Sequence, residues 1–177
     1  MRLPQFFIPD AYADSIHSID LEALKRQQIV GIICDLDNTL VPWDSDAMSP
    51  ATRAWIQEVG AEFQLALVSN GYVERVERWG QWLDIPAVPK ANKPRRGGFR
   101  YVLKVLDLAP DQVAVIGDQL FTDVVGGNRM GMHTILVRPL SRREFIGTRI
   151  VRAVERLVLR YLRWRGQLTA VVRLGTD

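Results

Sequence analysis

The chain has 177 residues, 47% hydrophobic and 24% charged, with a formal net charge of +3. That is enough for one domain with its own core, and the globular composition excludes a largely disordered protein. No segment approaches the roughly 20 apolar residues of a membrane span, the first residues do not resemble a secretory signal, and a lone cysteine excludes an intramolecular disulfide. Cys34, in an apolar run, reads as a buried core thiol, and the expected setting is the reducing cytoplasm, soluble or peripheral on the inner face of a membrane.

Residues 1–18, with Pro4, Pro9 and Phe6-Phe7, read as an irregular N-terminal arm, followed by a catalytic-type domain over 19–147. Short apolar runs predict buried strands at Gln28–Cys34, Gln64–Val68, Val113–Ile116 and Thr134–Val137, with a weaker one at Ala87–Val88. Between them lie helical patterns. Ser49-Pro50 caps and opens one that runs to about Val59, Tyr72–Trp82 and Gly98–Leu106 form the next two, and Thr122–Arg129 follows the fourth strand. This alternation predicts an α/β fold of three layers, a doubly wound parallel sheet with helices on both faces and ligands at the carboxyl ends of the strands. A basic amphipathic helix over 148–165 and a loosely ordered tail over 166–177 complete the chain.

Asp35 and Asp37 stand at the end of the first of these strands. In a continuing buried strand two acids at this spacing would be very costly, so the chain is expected to leave the sheet and turn both toward one crevice. Paired burial pushes two carboxyl pKa values apart, which suits phosphoryl transfer: one group attacks phosphorus and the other protonates the departing alkoxide. Three more strand ends carry polar groups. Ser69-Asn70-Gly71 offers a hydroxyl and free amides for phosphate, though the same tripeptide is a common turn. Lys93 could balance phosphate charge, or be an ordinary exposed lysine. Asp118 and Asp123, after Val113–Ile116, supply more carboxylate oxygen of the kind Mg²⁺ prefers.

Asp35-x-Asp37-x-Thr39, Ser69, Lys93 and Gly117-Asp118-x4-Asp123 together resemble the motif set of the haloacid dehalogenase (HAD) superfamily. The stretches Asp35–Asp44 and Gly117–Asp123, with Gly126-Gly127-Asn128-Arg129, are most similar to the YqeG-type branch of its subclass IIIA phosphatases. The resemblance spans about Pro9 to Leu157. It implies that Asp35 forms an aspartyl-phosphate, Asp37 acts as acid and then base, Thr39, Ser69 and the Asn70 amide position the phosphate, and Lys93 steadies the charge. It further implies Mg²⁺ held by the Asp35 carboxylate, the Asp37 carbonyl and Asp118, with Asp123 in support. Dehalogenases lack the second aspartate and transport ATPases carry threonine there, so Asp37 argues for a phosphatase.

Thr39 and Ser69 lie 30 residues apart and Ser69 and Lys93 24 apart, each interval already filled by a helix and a strand. No cap domain fits, and an open crevice suits phosphate on something large: a protein, a nucleic acid end or a lipid head group. Around Lys93, Arg95, Arg96 and Arg100 either grip a second phosphate or form a solvated basic turn. Trp43 touches substrate or packs a flap; His133 reads as structural.

From Arg138 to Arg165 nine arginines stand against two glutamates, while the rest of the chain carries 14 basic and 18 acidic residues. Within this segment Ile150, Val151, Val154, Leu157, Val158, Tyr161 and Leu162 recur at helical spacing, with Arg149, Arg152, Arg156, Arg160 and Arg163 on the other side. Such a helix binds an anionic membrane, packs on its own domain or a second subunit, or binds nucleic acid. Eukaryotic relatives of the YqeG-type branch dephosphorylate phosphatidylglycerophosphate. The resemblance therefore implies a phospholipid head group as substrate, a phosphatase of protein or nucleic acid ends being the alternative. A nucleic-acid or ribosome-binding module with a vestigial crevice is a further possibility, against which the complete catalytic set argues.

Overall fold

In the computed structural model the described residues are 3–141 and 149–168. Six parallel strands form one sheet in the order β1-β6-β5-β2-β3-β4. They are β1 Ala11–Ala13, β2 Gly31–Cys34, β3 Gln64–Val68, β4 Ala87–Val88, β5 Val113–Gly117 and β6 His133–Val137. The helices are α1 Leu21–Arg26, α2 Pro50–Glu62, α3 Val73–Leu83, α4 Gly97–Leu106, α5 Val125–Asn128 and α6 Arg149–Trp164, with a π-helical turn at Leu120–Val124 before α5.

The period of two along each strand decides which helix covers which face. Ile32 and Cys34 of β2, with Leu65 and Leu67 of β3, pack under α1, α2 and α3 through Leu24, Trp55, Val59 and Trp79. Ile33, Ala66 and Val68 face the other way, onto Phe99, Val102 and Leu106 of α4. The result is the expected three-layer doubly wound α/β fold, its central strands buried on both sides. On the α4 side α5 comes so close that a β-carbon at Gly126 would strike the Phe99 ring. The chain between Thr39 and Lys93 holds only α2, β3, α3 and β4, so the crevice has no inserted cap.

Two local features differ from the sequence reading. The apolar run from Gln28 enters the sheet only at Gly31, because Gln28 takes a left-handed conformation (φ 62°) and Ile29 N–H donates back to the Leu24 carbonyl, closing α1. The N-terminal arm is not irregular throughout. Ala11–Ala13 pairs in parallel with β6, and Asp10 Oδ2 accepts from Thr134 N at 2.8 Å, so the arm completes one edge of the sheet. Three residues are too few for periodicity to register, and their pairing depends on a strand more than 120 residues away. The expected boundary between 147 and 148, and the tail beyond residue 168, lie outside the described residues.

Candidate active site

The crevice opens at the carboxyl ends of β2, β3 and β5, where neighbouring strands hand the chain to loops on opposite faces. Asp35 N–H still bonds the Ile116 carbonyl of β5 at 2.9 Å, the last rung of the ladder. Beyond it, Leu36 and Leu40 plunge into the core and the Leu36 carbonyl accepts from Leu40 N at 3.0 Å and Val41 N at 3.1 Å. Asn38 turns the chain at φ 64°, its N–H reaching the Val41 carbonyl at 2.6 Å. With the leucines pinned inward, Asp35 and Asp37 project into the crevice.

Asp35 is buried at its floor. Its Oδ1 accepts from Lys93 Nζ at 2.7 Å, and the same ammonium lies 2.6 Å from Asp123 Oδ1. Burial pushes the Asp35 carboxyl up to about 6, with Lys93 pulling the other way. Burial also works against the charge of Lys93, but Asp123 and Asp35 outweigh it and hold the ammonium above its ordinary range. A buried cation between two carboxylates is tolerable because each bond replaces lost hydration. Asn70 fixes Lys93 from the backbone side: its Oδ1 accepts from Lys93 N at 2.7 Å and its Nδ2 donates to the Lys93 carbonyl at 3.2 Å. The Asn70 side chain therefore holds the lysine loop, a role its place in a Ser-Asn-Gly turn does not announce.

Ser69 is buried at the end of β3, its Oγ accepting from Gly71 N at 3.0 Å. Thr39 is buried too, with Oγ1 lacking a hydrogen-bond partner among the described residues. Asp37 is only partly buried, and its Oδ1 accepts from Arg75 Nε at 2.9 Å. Arg75, on the first turn of α3, also reaches Asp46 Oδ1 at 2.6 Å and the Pro42 carbonyl at 3.0 Å, tying Asp37 to the loop before α2.

Asp35, Asp118 and Asp123 each place a carboxylate oxygen within 4.8 Å of the others, all three buried. Gly117 makes this possible, since a β-carbon there would collide with the Asp123 carboxylate. Asp123 Oδ2 accepts from Gln119 N at 3.0 Å, while Asp118 Oδ1 is buried with no hydrogen-bond partner among the described residues. An orphaned oxygen beside two more hard oxygen donors fits a divalent cation such as Mg²⁺, and the Asp37 side chain stands outside the cluster. Burial holds the Asp118 carboxyl well above its usual range, against the pull of Arg152.

Arg152 corrects an expectation. It is not on a solvent-facing stripe of α6 but buried, bonded to Asp118 Oδ2, 2.6 Å from the Asp118 carbonyl and 3.1 Å from Glu155 Oε2. Glu155 Oε1 in turn accepts from Phe121 N at 3.2 Å. Arg95 and Arg96 do not line the crevice; both are exposed on the turn that opens α4. The arginines that do line it are Arg75 and Arg152, neither of which the sequence marks as a site residue. Trp43, Tyr72, Gln119 and Thr122 complete the wall of a crevice of about 330 Å³. His133 sits 4.0 Å from Asp10 at the far edge of the sheet, where burial lowers its pKa, and Cys34, its thiol pushed up by burial to about 12, is inert core.

The mitochondrial PGP phosphatase family matches residues 1–79, and the HAD-hydrolase-like family residues 90–139. "Probable phosphatase YqeG" of Bacillus subtilis is 41% identical over 94% of this chain and 97% of its own length. The chain belongs to the HAD superfamily of phosphatases, in the YqeG family. It is 34% identical to "Phosphatidylglycerophosphate phosphatase 1, chloroplastic/mitochondrial" of Arabidopsis thaliana, covering 90% of this chain and 49% of the relative. A chloroplastic counterpart from Chlamydomonas reinhardtii is 29% identical over 84% of this chain and 59% of its own length. The chain thus spans about half the length of these two plant and algal proteins. Among solved structures, the cobalt-bound deoxy-D-mannose-octulosonate 8-phosphate phosphatase of Haemophilus influenzae superposes with a TM-score of 0.52 at 19% identity, over 64% of this chain and 70% of that one. An uncharacterized protein from Listeria monocytogenes gives 0.51 at 16%, over 76% and 99%. At these identities the likeness speaks for the fold alone.

Proposed function

We propose that this phosphatase is Mg²⁺-dependent, acts through an aspartyl-phosphate on Asp35 and dephosphorylates phosphatidylglycerophosphate to phosphatidylglycerol. The observation that carries the mechanism is the floor of the crevice, where Lys93 and a cluster of carboxylates surround Asp35 while Asp37 stands two residues further on, partly exposed. The Asp35 carboxylate attacks phosphorus, and the bond from phosphorus to the leaving oxygen breaks as Asp37 protonates that oxygen. Asp37 then takes a proton from the water that attacks the aspartyl-phosphate, which frees inorganic phosphate and regenerates Asp35. Thr39, Ser69 and the Asn70 main-chain N–H hold phosphate oxygens, and Lys93 compensates the charge on nucleophile and phosphate. Asp35 and Asp118 would hold Mg²⁺, with Asp123 beside them, and the ion would offset negative charge on the transferring phosphoryl group.

The substrate reading is supported by relatives at 34% and 29% identity that bear the name phosphatidylglycerophosphate phosphatase, and by the family match over residues 1–79. The open crevice agrees with it, since a phosphomonoester presented on a membrane surface needs access and not enclosure. Parallel turnover with Mg²⁺ of phosphatidylglycerophosphate, a phosphopeptide set and 3′- or 5′-phosphorylated oligonucleotides tests it. Preference for the lipid by at least tenfold in kcat/KM is expected; equal or faster turnover of peptide or oligonucleotide would replace the lipid with that class.

A further inference from the structure

Helix α6 shows three faces where a helix that merely packs on its domain shows two. Its inner face carries Arg152, Glu155 and Leu162, all buried, with Val158 and Leu159 packed on Leu120, Val124 and Leu136. Turning about the axis at 100° per residue, the next face is a row of exposed arginines, Arg156, Arg160 and Arg163. The third is apolar and faces solvent: Val154, Leu157 at 58% exposure and Trp164 at 78%.

The arginine row is unbalanced. The helix has one acid, Glu155, and it is buried and committed to Arg152 and Phe121. Among the described residues no carboxylate pairs with Arg156, Arg160 or Arg163; Arg163 lies over the Tyr12 ring at 5.3 Å, and Arg156 Nε reaches only the Arg152 carbonyl at 3.4 Å. These three, with Arg138 and Arg152, line a groove of about 700 Å³ between α6 and the carboxyl end of β6. Arg152 lines both this groove and the catalytic crevice.

We propose that α6 is a docking surface for an anionic phospholipid bilayer. Leu157 and Trp164 enter the boundary between head groups and acyl chains, while Arg156, Arg160 and Arg163 lie against lipid phosphates. The two adjacent rows, one apolar and one cationic, match the two layers of a membrane surface. A second copy of the chain seated on the same face would bring arginine row toward arginine row across a twofold axis, with no exposed acid on the helix to separate them. RNA would satisfy the arginines but leave the apolar row in water. Because Arg152 joins groove and crevice, docking places lipid phosphate beside the catalytic aspartates. The inference deepens the lipid reading above, but binding is measured without turnover, so either can fail while the other stands.

The test is co-sedimentation of the full chain with phosphatidylcholine vesicles and with phosphatidylcholine vesicles containing phosphatidylserine, which is neither proposed substrate nor product. Preference for the anionic vesicles is expected, weakening as salt rises. Each basic side chain near such a surface contributes roughly fivefold in partitioning, so R156Q/R160Q/R163Q should bind about 100-fold more weakly. L157S/W164S should reduce the binding that persists at high salt. Hydrolysis of p-nitrophenyl phosphate should stay within about twofold in both variants, showing an intact crevice; if the triple variant does not fold, Arg160→Gln alone should cost roughly fivefold. Equal binding to both vesicle types, no vesicle binding, or undiminished binding by the arginine variants would overturn the proposal. So would a dimer in sedimentation velocity that L157S/W164S dissolves with vesicle binding unchanged, or tight binding of an RNA oligonucleotide with none to vesicles.

Discussion

Arg152, on the last helix, grips Asp118, at the end of the fifth strand, through both its carboxylate and its main-chain carbonyl. The two lie 34 residues apart, and their pairing joins α6 to the cluster of carboxylates around Asp35. A buried guanidinium with two carboxylate partners and a carbonyl satisfies much of its donor fork, and Glu155 spends its remaining oxygen on Phe121 N.

Removing one member of such a network leaves a buried charge without its partner. Arg152→Met is expected to destabilise the protein by about 3–5 kcal/mol in chemical denaturation. Combined with Asp118→Asn, the double variant should lose less than the two single losses together. Strict additivity across that cycle would mean the pair is not energetically coupled.

The two aspartates of the first motif separate by role. Asp35→Asn is expected to abolish turnover with the fold retained, since an amide does not attack phosphorus. Asp37→Asn should slow it by roughly 10²- to 10⁴-fold, the usual worth of a positioned acid. Circular dichroism beside steady-state kinetics checks both, and near-normal Mg²⁺-dependent turnover by the Asp35 variant would remove the covalent mechanism.

Arg75 holds Asp37 in place through one fork that also reaches Asp46 and Pro42. Arg75→Gln should lower kcat on a small soluble ester by roughly 10- to 100-fold through misplacement of the acid. KM should change far less, and Arg75→Lys should not rescue, because one ammonium nitrogen cannot span the three acceptors that Arg75 meets with three separate nitrogens. An unchanged kcat would assign Arg75 a purely structural role.

The Asp35 carboxyl, pushed by burial up to about 6 from an ordinary 3.8, gives a pH signature. A carboxyl whose pKa is raised on folding contributes stability that is full below about 4 and is lost as pH rises through about 6. Metal-free wild type should therefore weaken relative to Asp35→Asn across that interval. Mg²⁺ competes with the same proton, so its affinity should fall below pH 6 and its binding should release protons at pH 5.5 more than at pH 7.5. Calorimetry in two buffers of different ionisation enthalpy reads the proton count. A Mg²⁺ affinity flat with pH, or full activity in excess EDTA, contradicts the assignment of these carboxylates to the metal.

The strands and the motif residues at their ends were legible because both signals are local. Leu65–Val68 is an unbroken apolar run, and Ser49 caps α2 by accepting from Thr52 N at 3.0 Å, as its place before Pro50 suggests. What sequence did not disclose depends on distant partners. Asn70 clamping Lys93 requires the lysine loop to return beside it, and Arg75 finds Asp37 only once β2 and β3 are neighbours. Hydropathy places Arg152 on the wet side of α6, because it ranks every arginine as polar surface. The stripe Arg152, Glu155, Leu159, Leu162 has helical spacing, and an arginine with a glutamate three residues on was the available hint that this face turns inward. The exposed Arg95 and Arg96 show the converse: nearness in sequence to Lys93 did not bring them to the crevice, because the chain turns into α4 at that point.

The most direct test of the proposed reaction is to quench a reaction of the enzyme with ³²P-labelled phosphatidylglycerophosphate and Mg²⁺ in acid and ask where the label sits. A hydroxylamine-labile phosphate on the peptide containing Asp35, formed and lost at rates compatible with turnover and missing in Asp35→Asn, is the expected result. Hydrolysis of the lipid at full rate with no label on the protein at any time, or with label equally present in Asp35→Asn, would contradict it.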